Sequence, residues 1–160
     1  MFQFTRTLAP LAVGLFLALS GASQAAQAMI VNVSLWDTGP DSMMGMGVNG
    51  DLSKATMGLT ADVATIPAGT VTFNVINNSK TIIHEMIMSR VPADNAPLPY
   101  LVAKFKVDEA AASPLGEVSE LEVGKNGQLS VNLTPGKYIL YCNIMGHYMN
   151  GMWTIITVTE

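Results

Sequence analysis

The residues of this 160-residue chain whose side chains could do chemistry gather near its C-terminus. Cys142 is the only cysteine, and one of only two histidines, His147, follows it five residues later. Met152 lies ten residues after the cysteine. A thiolate, an imidazole and a thioether in one loop favour copper, because soft sulfur donors together with nitrogen select Cu(I) and Cu(II) over Mg²⁺ or Ca²⁺. Only His84 remains to supply a second imidazole.

Two histidines, one cysteine and a weak axial methionine are the donor set of blue-copper electron-transfer sites. Taken singly, Cys142 could be a small buried hydrophobic residue and His84 a core histidine. Taken together, the only cysteine and both histidines lie at compatible positions, which favours a metal site. Met149 is an alternative axial donor, but we favour Met152 because it abuts the predicted closing strand.

The first 28 residues predict a secretory signal peptide. Arg6 supplies a short positive region, residues 8–19 form an apolar run, and Ala26-Gln27-Ala28 fits the small-x-small cleavage rule, with residues 23–25 as a second choice. The run is shorter than the about 20 residues that cross a membrane, so we expect cleavage rather than a retained anchor. With no twin arginine, we expect export by the general pathway to the periplasm.

Cleavage after Ala28 leaves a single domain at residues 29–160. Because Arg6 is lost, 7 basic residues then face 12 acidic ones, and the net charge is −5. An acidic chain argues against nucleic-acid binding, which depends on lysine and arginine at phosphates. In an exported protein a lone cysteine is buried, reactive or bound to metal. We expect a monomer without an integral membrane segment.

Short alternating segments rich in β-branched residues predict an all-β chain. Seven to eight strands, with turns about every ten residues, are typical of a Greek-key β-sandwich. Residues 98–112 are expected to form an insertion with a short helix, in which Leu101, Val102 and Phe105 share one side. The predicted strands are 29–36, 57–68 (one strand, two short strands, or a strand and a turn), 69–77, 81–89, 116–123, 128–134, 137–142 and 152–159.

The residues that carry the metal chemistry resemble the cupredoxin family, the small blue copper proteins. The resemblance covers roughly residues 70–160, with a first strand at 29–36. Residues 78–86 are similar to the family's first-histidine strand, and residues 141–152 to its Cys-x4-His-x4-Met loop. The resemblance implies one type 1 copper site, with trigonal ligands and an axial methionine at His84, Cys142, His147 and Met152.

The resemblance also implies contacts around the ligands. The backbone N–H of Glu85 is expected to bond the cysteine sulfur, and Asn78 to lock the loop that bears His84. Met145 stands where a proline often precedes the Gly-His pair, which would place another thioether near the metal.

A second group of methionines lies in the glycine-rich loop 37–52. Met43, Met44 and Met46 either pack adaptably or form an auxiliary Cu(I) site, since thioethers bind Cu(I). The nearby Asp37 and Asp41 are expected to be solvated rather than to bind metal.

Two functions follow from these residues. The first is one-electron transfer between redox protein partners through a single Cu(II)/Cu(I) site. The second is copper homeostasis or tolerance, in which the chain binds or sequesters copper together with copper-handling proteins. An enzyme is not expected, because no motif marks an orienting partner or oxyanion hole for a Cys-His hydrolase. A multicopper oxidase needs more than two histidines, and a binuclear copper centre needs a second cysteine.

Overall fold

A computed structural model describes residues 29–39, 41, 51–93 and 96–160. The predicted signal peptide and the methionines at 43, 44 and 46 lie outside the described residues. Within these ranges the strands, in chain order, are β1 (Met29–Asp37), β2 (Met57–Ala61), β3 (Thr65–Pro67), β4 (Gly69–Asn77), β5 (His84–Arg90), β6 (Tyr100–Leu101), β7 (Lys106–Val107), β8 (Gly116–Leu121), β9 (Asn126–Leu133), β10 (Gly136–Tyr141) and β11 (Trp153–Thr159).

Nine of these strands form the two sheets of a sandwich. The first sheet has the order β2-β1-β4-β9, and the second the order β3-β11-β10-β5-β8. Strand β1 runs parallel to β4, and β3 runs parallel to β11, whereas the other sandwich pairs are antiparallel. The prediction of an all-β Greek-key sandwich is confirmed, and β8 lies at one edge of the second sheet.

The structure has one sandwich strand more than the predicted seven to eight. Residues 57–68 form the two separate strands β2 and β3, which join different sheets. Because β2 pairs in the first sheet and β3 in the second, the chain must cross from one sheet to the other. The turn between β2 and β3 makes this crossing and divides the segment into two strands.

The insertion at 98–112 differs from the predicted helix. Its main element is the hairpin of β6 and β7 around a 3-10 turn at Val102–Lys104, and the only helix there is α1 (Glu109–Ala112), a single turn capped by Asp108. Val102 and Phe105 are exposed rather than packed on a common helix face. Phe105 has φ 52 in the left-handed region, which interrupts any longer helix at that residue.

The main core fills the space between the two sheets. Alternate residues of β4 point into it, with Val71, Phe73 and Val75 fully buried, as the period of two requires. The same core includes Cys142 and Met152, so the predicted donors lie at one end of it. A second cluster, which includes Ile87 and Tyr141, packs between the outer face of the second sheet and the insertion.

None of the helices in the described part of the chain has the length and apolar character of a membrane span.

Candidate metal centre

The ends of two neighbouring strands position the cluster. His84 is the first residue of β5, and Cys142 directly follows β10. The Cys142 N–H donates to the Met152 carbonyl at 3.1 Å, which extends the β10–β11 ladder by one pair into the loop. Since β5 and β10 are adjacent and antiparallel, the start of one meets the end of the other.

The structure brings both histidines and the cysteine together. His84 Nδ1 lies 3.2 Å from His147 Nδ1, and the same His147 nitrogen lies 3.3 Å from Cys142 Sγ. The three donor atoms lie within 4.8 Å of one another, and all three residues are at most 1% exposed. Sequence positions far apart in the chain therefore converge on one buried point.

The donor set fits a metal ion. Donors bound at about 2.0–2.3 Å from one ion in trigonal or tetrahedral geometry lie roughly 3.3–4.0 Å apart. The separations of His147 Nδ1 from His84 Nδ1 and from Cys142 Sγ, 3.2 and 3.3 Å, come close to that range. Two imidazoles and one thiolate are the trigonal donors of a blue-copper centre.

Burial acts on the ionisation of the cysteine. It raises the pKa of the Cys142 thiol to about 12, although the backbone N–H groups of Glu85 and Ile144 donate to the sulfur and oppose that rise. A thiol in such surroundings ionises when a cation takes the place of its proton. The predicted contact between the Glu85 N–H and the sulfur is confirmed.

Burial also keeps the imidazoles neutral. It lowers the pKa of His147 to about 4, with a further lowering from the neighbouring His84. Burial likewise lowers the pKa of His84, and the Asp37 carboxylate opposes this. Neutral imidazole is the form that binds metal.

The ligand loop is held in shape by its own turns. His147 N–H donates to the Ile144 carbonyl at 2.9 Å, and the His147 carbonyl accepts from Met152 N–H at 3.1 Å. Gly146 and Gly151 have φ 83 and 95, a conformation that favours glycine. The two glycines thus flank the histidine and let the chain turn back toward β11.

Asn77 and Ser79 lock the turn before His84, and the prediction that Asn78 does so is wrong. The buried Asn77 donates to the carbonyls of Ile82 (3.0 Å) and Leu121 (2.7 Å), and Ser79 Oγ also donates to the Ile82 carbonyl at 2.6 Å. Asn78, one residue on, points out of the opposite face and bonds Ser34 of β1.

The pairing of β5 with β8 is irregular directly after His84. The register shifts between His84 and Met86, where the two residues Ser119 and Glu120 of β8 lie opposite Glu85 alone, so the extra residue belongs to β8. Glu85 itself is buried. The Glu85 carboxylate accepts a hydrogen bond at 3.0 Å from the backbone N–H of Asn143, the residue directly after Cys142. This hydrogen bond joins the strand that carries His84 to the segment that carries Cys142.

Asn143 ties the cysteine segment to the insertion. Its side chain exchanges two hydrogen bonds with the backbone of Val107, at 2.6 and 3.0 Å, and donates to Glu109 Oε1 at 2.6 Å. The hairpin that replaced the predicted helix therefore buttresses the residue next to Cys142.

Residues 60–160 match the family model described as the sulfocyanin (SoxE) domain. The chain belongs to the sulfocyanin family. This family is one of cupredoxins, and together with the buried His-Cys-His cluster it supports one type 1 copper site. No sequence among curated proteins matches the sulfocyanin-family chain.

Solved structures share the fold of this sulfocyanin-family chain. Reduced auracyanin from Roseiflexus castenholzii is 21% identical, with a TM-score of 0.50 over 84% of this chain and 99% of that one. Rusticyanin from Thiobacillus ferrooxidans is 20% identical, with a TM-score of 0.54 over 83% of this chain and 79% of that one. Rusticyanin is described as a copper protein. At these identities the likeness shows a shared sandwich fold.

Asp37 is a site residue that the sequence did not reveal. The expectation that it is solvated is wrong, because its side chain is fully buried beside His84. Asp41, four residues later, is exposed as expected. An aspartate at a strand end before a glycine-rich loop gave no signal that it faces inward.

Met145 also departs from expectation. Its side chain is 57% exposed, whereas the three donors of the cluster are buried, so its thioether faces solvent. The prediction that it brings another thioether near the metal is therefore wrong.

Proposed function

We propose that this protein is a periplasmic carrier of single electrons and not an enzyme. The observation that carries the proposal is the buried cluster of two imidazoles and one thiol in a chain of the sulfocyanin family. The proposed ligands are His84, Cys142 and His147, with Met152 in the axial position. When bound, copper supplies one-electron exchange between Cu(II) and Cu(I).

The surroundings of the donors support a site of constant shape. Hydrogen bonds to the Cys142 sulfur and between Glu85 and Asn143 hold the ligand segments from several sides, and burial excludes water. A site that changes little between two oxidation states needs little reorganisation when an electron is transferred. Side chains held by packing and hydrogen bonds provide this constancy.

The axial assignment is supported by burial. Met152 is fully buried and bonded through its backbone to both Cys142 and His147, whereas Met149 is 39% exposed. A thioether that faces water is not available to a buried ion, which favours Met152.

The surface of the ligand loop supports redox protein partners. Met145 and Met149 expose apolar area within a few residues of His147, where a partner could approach the site closely. The signal peptide predicted at residues 1–28, followed by one domain at 29–160, supports a periplasmic location, and we expect a monomer.

An optical titration with Cu(II) tests the proposal. The purified mature protein should develop an intense thiolate-to-copper band that saturates at about one copper per chain, as one His2Cys site requires. Cys142→Ser should remain folded by circular dichroism and show no such band. A band that persists in this variant would defeat the assignment.

Copper homeostasis is the second candidate. It is favoured by the three methionines at positions 43, 44 and 46, in the glycine-rich segment that follows Asp37 in the sequence. Titration with Cu(I) separates the functions, because a carrier binds one equivalent whereas a homeostasis protein binds more. Simultaneous replacement of the three methionines by leucine is the matched control and should remove only the additional copper.

A further inference from the structure

A buried carboxylate lies behind the ring of His84. Asp37 ends β1, where it pairs with Met57 of β2, and its side chain turns into the molecule. Asp37 Oδ2 lies 3.5 Å from His84 Nε2, and both side chains are 0% exposed. The first sheet thus contributes a charged group to a cluster whose donors lie on β5 of the second sheet and in the loop after β10.

These two atoms have no other partner in the described part of the chain. Asp37 Oδ2 and His84 Nε2 both lack a hydrogen bond, whereas Asp37 Oδ1 accepts the Gly39 N–H at 2.7 Å. At 3.5 Å the pair is slightly beyond a good hydrogen bond. Since an unpaired buried polar group costs about 1–3 kcal/mol, and a charged one more, a small rotation that joins them is favoured.

The contact lies on the side of the ring that faces away from the other donors. His84 Nδ1 points to His147, and His84 Nε2 faces Asp37. When Nδ1 donates its lone pair to a metal ion, Nε2 is the nitrogen that keeps the proton. Metal-binding histidines commonly donate this second N–H to a carboxylate, which fixes the tautomer and makes the ring a stronger donor.

We propose that Asp37 is a positioning residue that holds His84 with its proton on Nε2 and favours Cu(II) over Cu(I). The inference rests on the proposed function, because it takes His84 as a ligand. A buried negative charge next to a ligand interacts more strongly with the more positive oxidation state. Asp37 therefore lowers the reduction potential of the site.

The test is the reduction potential of copper-loaded Asp37→Asn. This variant keeps the shape of the side chain and an oxygen acceptor but removes the charge. We expect the thiolate band to remain at one copper, while the preference for Cu(I) over Cu(II) rises about tenfold, equal to about 59 mV for one electron. The matched control is Asp41→Asn, which removes the same charge from an exposed position and should change the preference by less than about twofold.

If Asp37→Asn keeps the thiolate band but changes the reduction potential no more than Asp41→Asn does, the proposed role of Asp37 is overturned. The copper site itself would still stand. Loss of the band in the wild-type protein would instead overturn the proposed function. If Asp37→Asn does not fold, proton–nitrogen NMR of the reduced wild-type protein decides. His84 should then carry its proton on Nε2, protected from exchange, and an unprotonated Nε2 would contradict the inference.

Discussion

Single buried donors give the site its chemistry. Burial disfavours the charged thiolate and the charged imidazolium alike, so without a metal ion it favours the neutral thiol and the neutral imidazoles. The deprotonated cysteine and the neutral histidines are the forms that bind metal, so proton release by Cys142 accompanies binding. Burial destabilises a thiolate that has no cation beside it. The deprotonated form of Cys142 therefore depends on a bound metal ion.

Replacement of Met152 by leucine tests the axial donor. Leucine has a similar volume and should cost less than about 1.5 kcal/mol of folding free energy. Loss of the weak sulfur donor should disfavour Cu(II), so the preference for Cu(I) should rise about tenfold, or about 59 mV, while the thiolate band remains. Voltammetry and absorption of the copper-loaded variant measure both quantities.

Met149→Leu is the control for this prediction. It makes the same replacement in the same loop, at a partly exposed side chain, and should leave the potential unchanged. The opposite result, in which Met149→Leu shifts the potential and Met152→Leu does not, would assign the axial position to Met149.

At the scale of elements, two devices present the first histidine. The bulge in β8 opposite Glu85 shifts the pairing beside His84, and the turn before His84 is held by Asn77 and Ser79. Asn77 bonds Ile82 of the turn and Leu121 of β8 at once, so it connects the position of His84 to the edge of the second sheet.

Asn77→Ala should destabilise the protein. It removes two donated hydrogen bonds and the acceptor for the Ser79 N–H, and leaves buried backbone groups unpaired. We expect a loss of about 2–4 kcal/mol in the free energy of unfolding, measured by urea denaturation of the metal-free protein.

Asn78→Ala is the matched control for Asn77→Ala. Asn78 is exposed and loses only its bond to Ser34, so the expected loss is below about 1 kcal/mol. Equal losses in the two variants would contradict the role assigned to Asn77.

At the scale of the whole molecule, the site joins parts of the chain that are distant in sequence. The end of β1, the start of β5 and the loop between β10 and β11 meet at one end of the sandwich. A metal bound there links His84 to the Cys142 loop, and the unfolded chain holds these groups far apart. Copper binding therefore favours the folded state.

Copper should raise the resistance of the protein to urea. At free copper about 1,000-fold above the dissociation constant, binding to the folded state alone adds about 4 kcal/mol, and less if the unfolded loop also binds. Unfolding of copper-loaded and chelator-treated protein measures the difference. Cys142→Ser should show almost none of it, and an equal increase in that variant would mean that copper binds elsewhere.

The sequence alone determined the donor types and most of the sandwich. Cys142, His147 and Met152 are close in the chain, so their spacing predicts one loop whatever the remaining fold. Alternating strands such as β4 are equally local, and the predicted range of residues 69–77 agrees with the structure. Where the pattern was irregular, at residues 98–112, a short helix is present only at α1, and Leu101, Val102 and Phe105 lie instead in a hairpin that packs against Asn143 and Tyr141.

Only the tertiary structure decided which neighbours surround the donors. Asn77 and Asn78 are the same residue type, and the face of the chain on which each lies determines which one locks the turn. Asp37 and His84 lie in different sheets, and no periodicity within either strand says that their side chains meet. Periodicity predicts which residues are buried, but the packing of one sheet on the other determines what each buried polar atom faces.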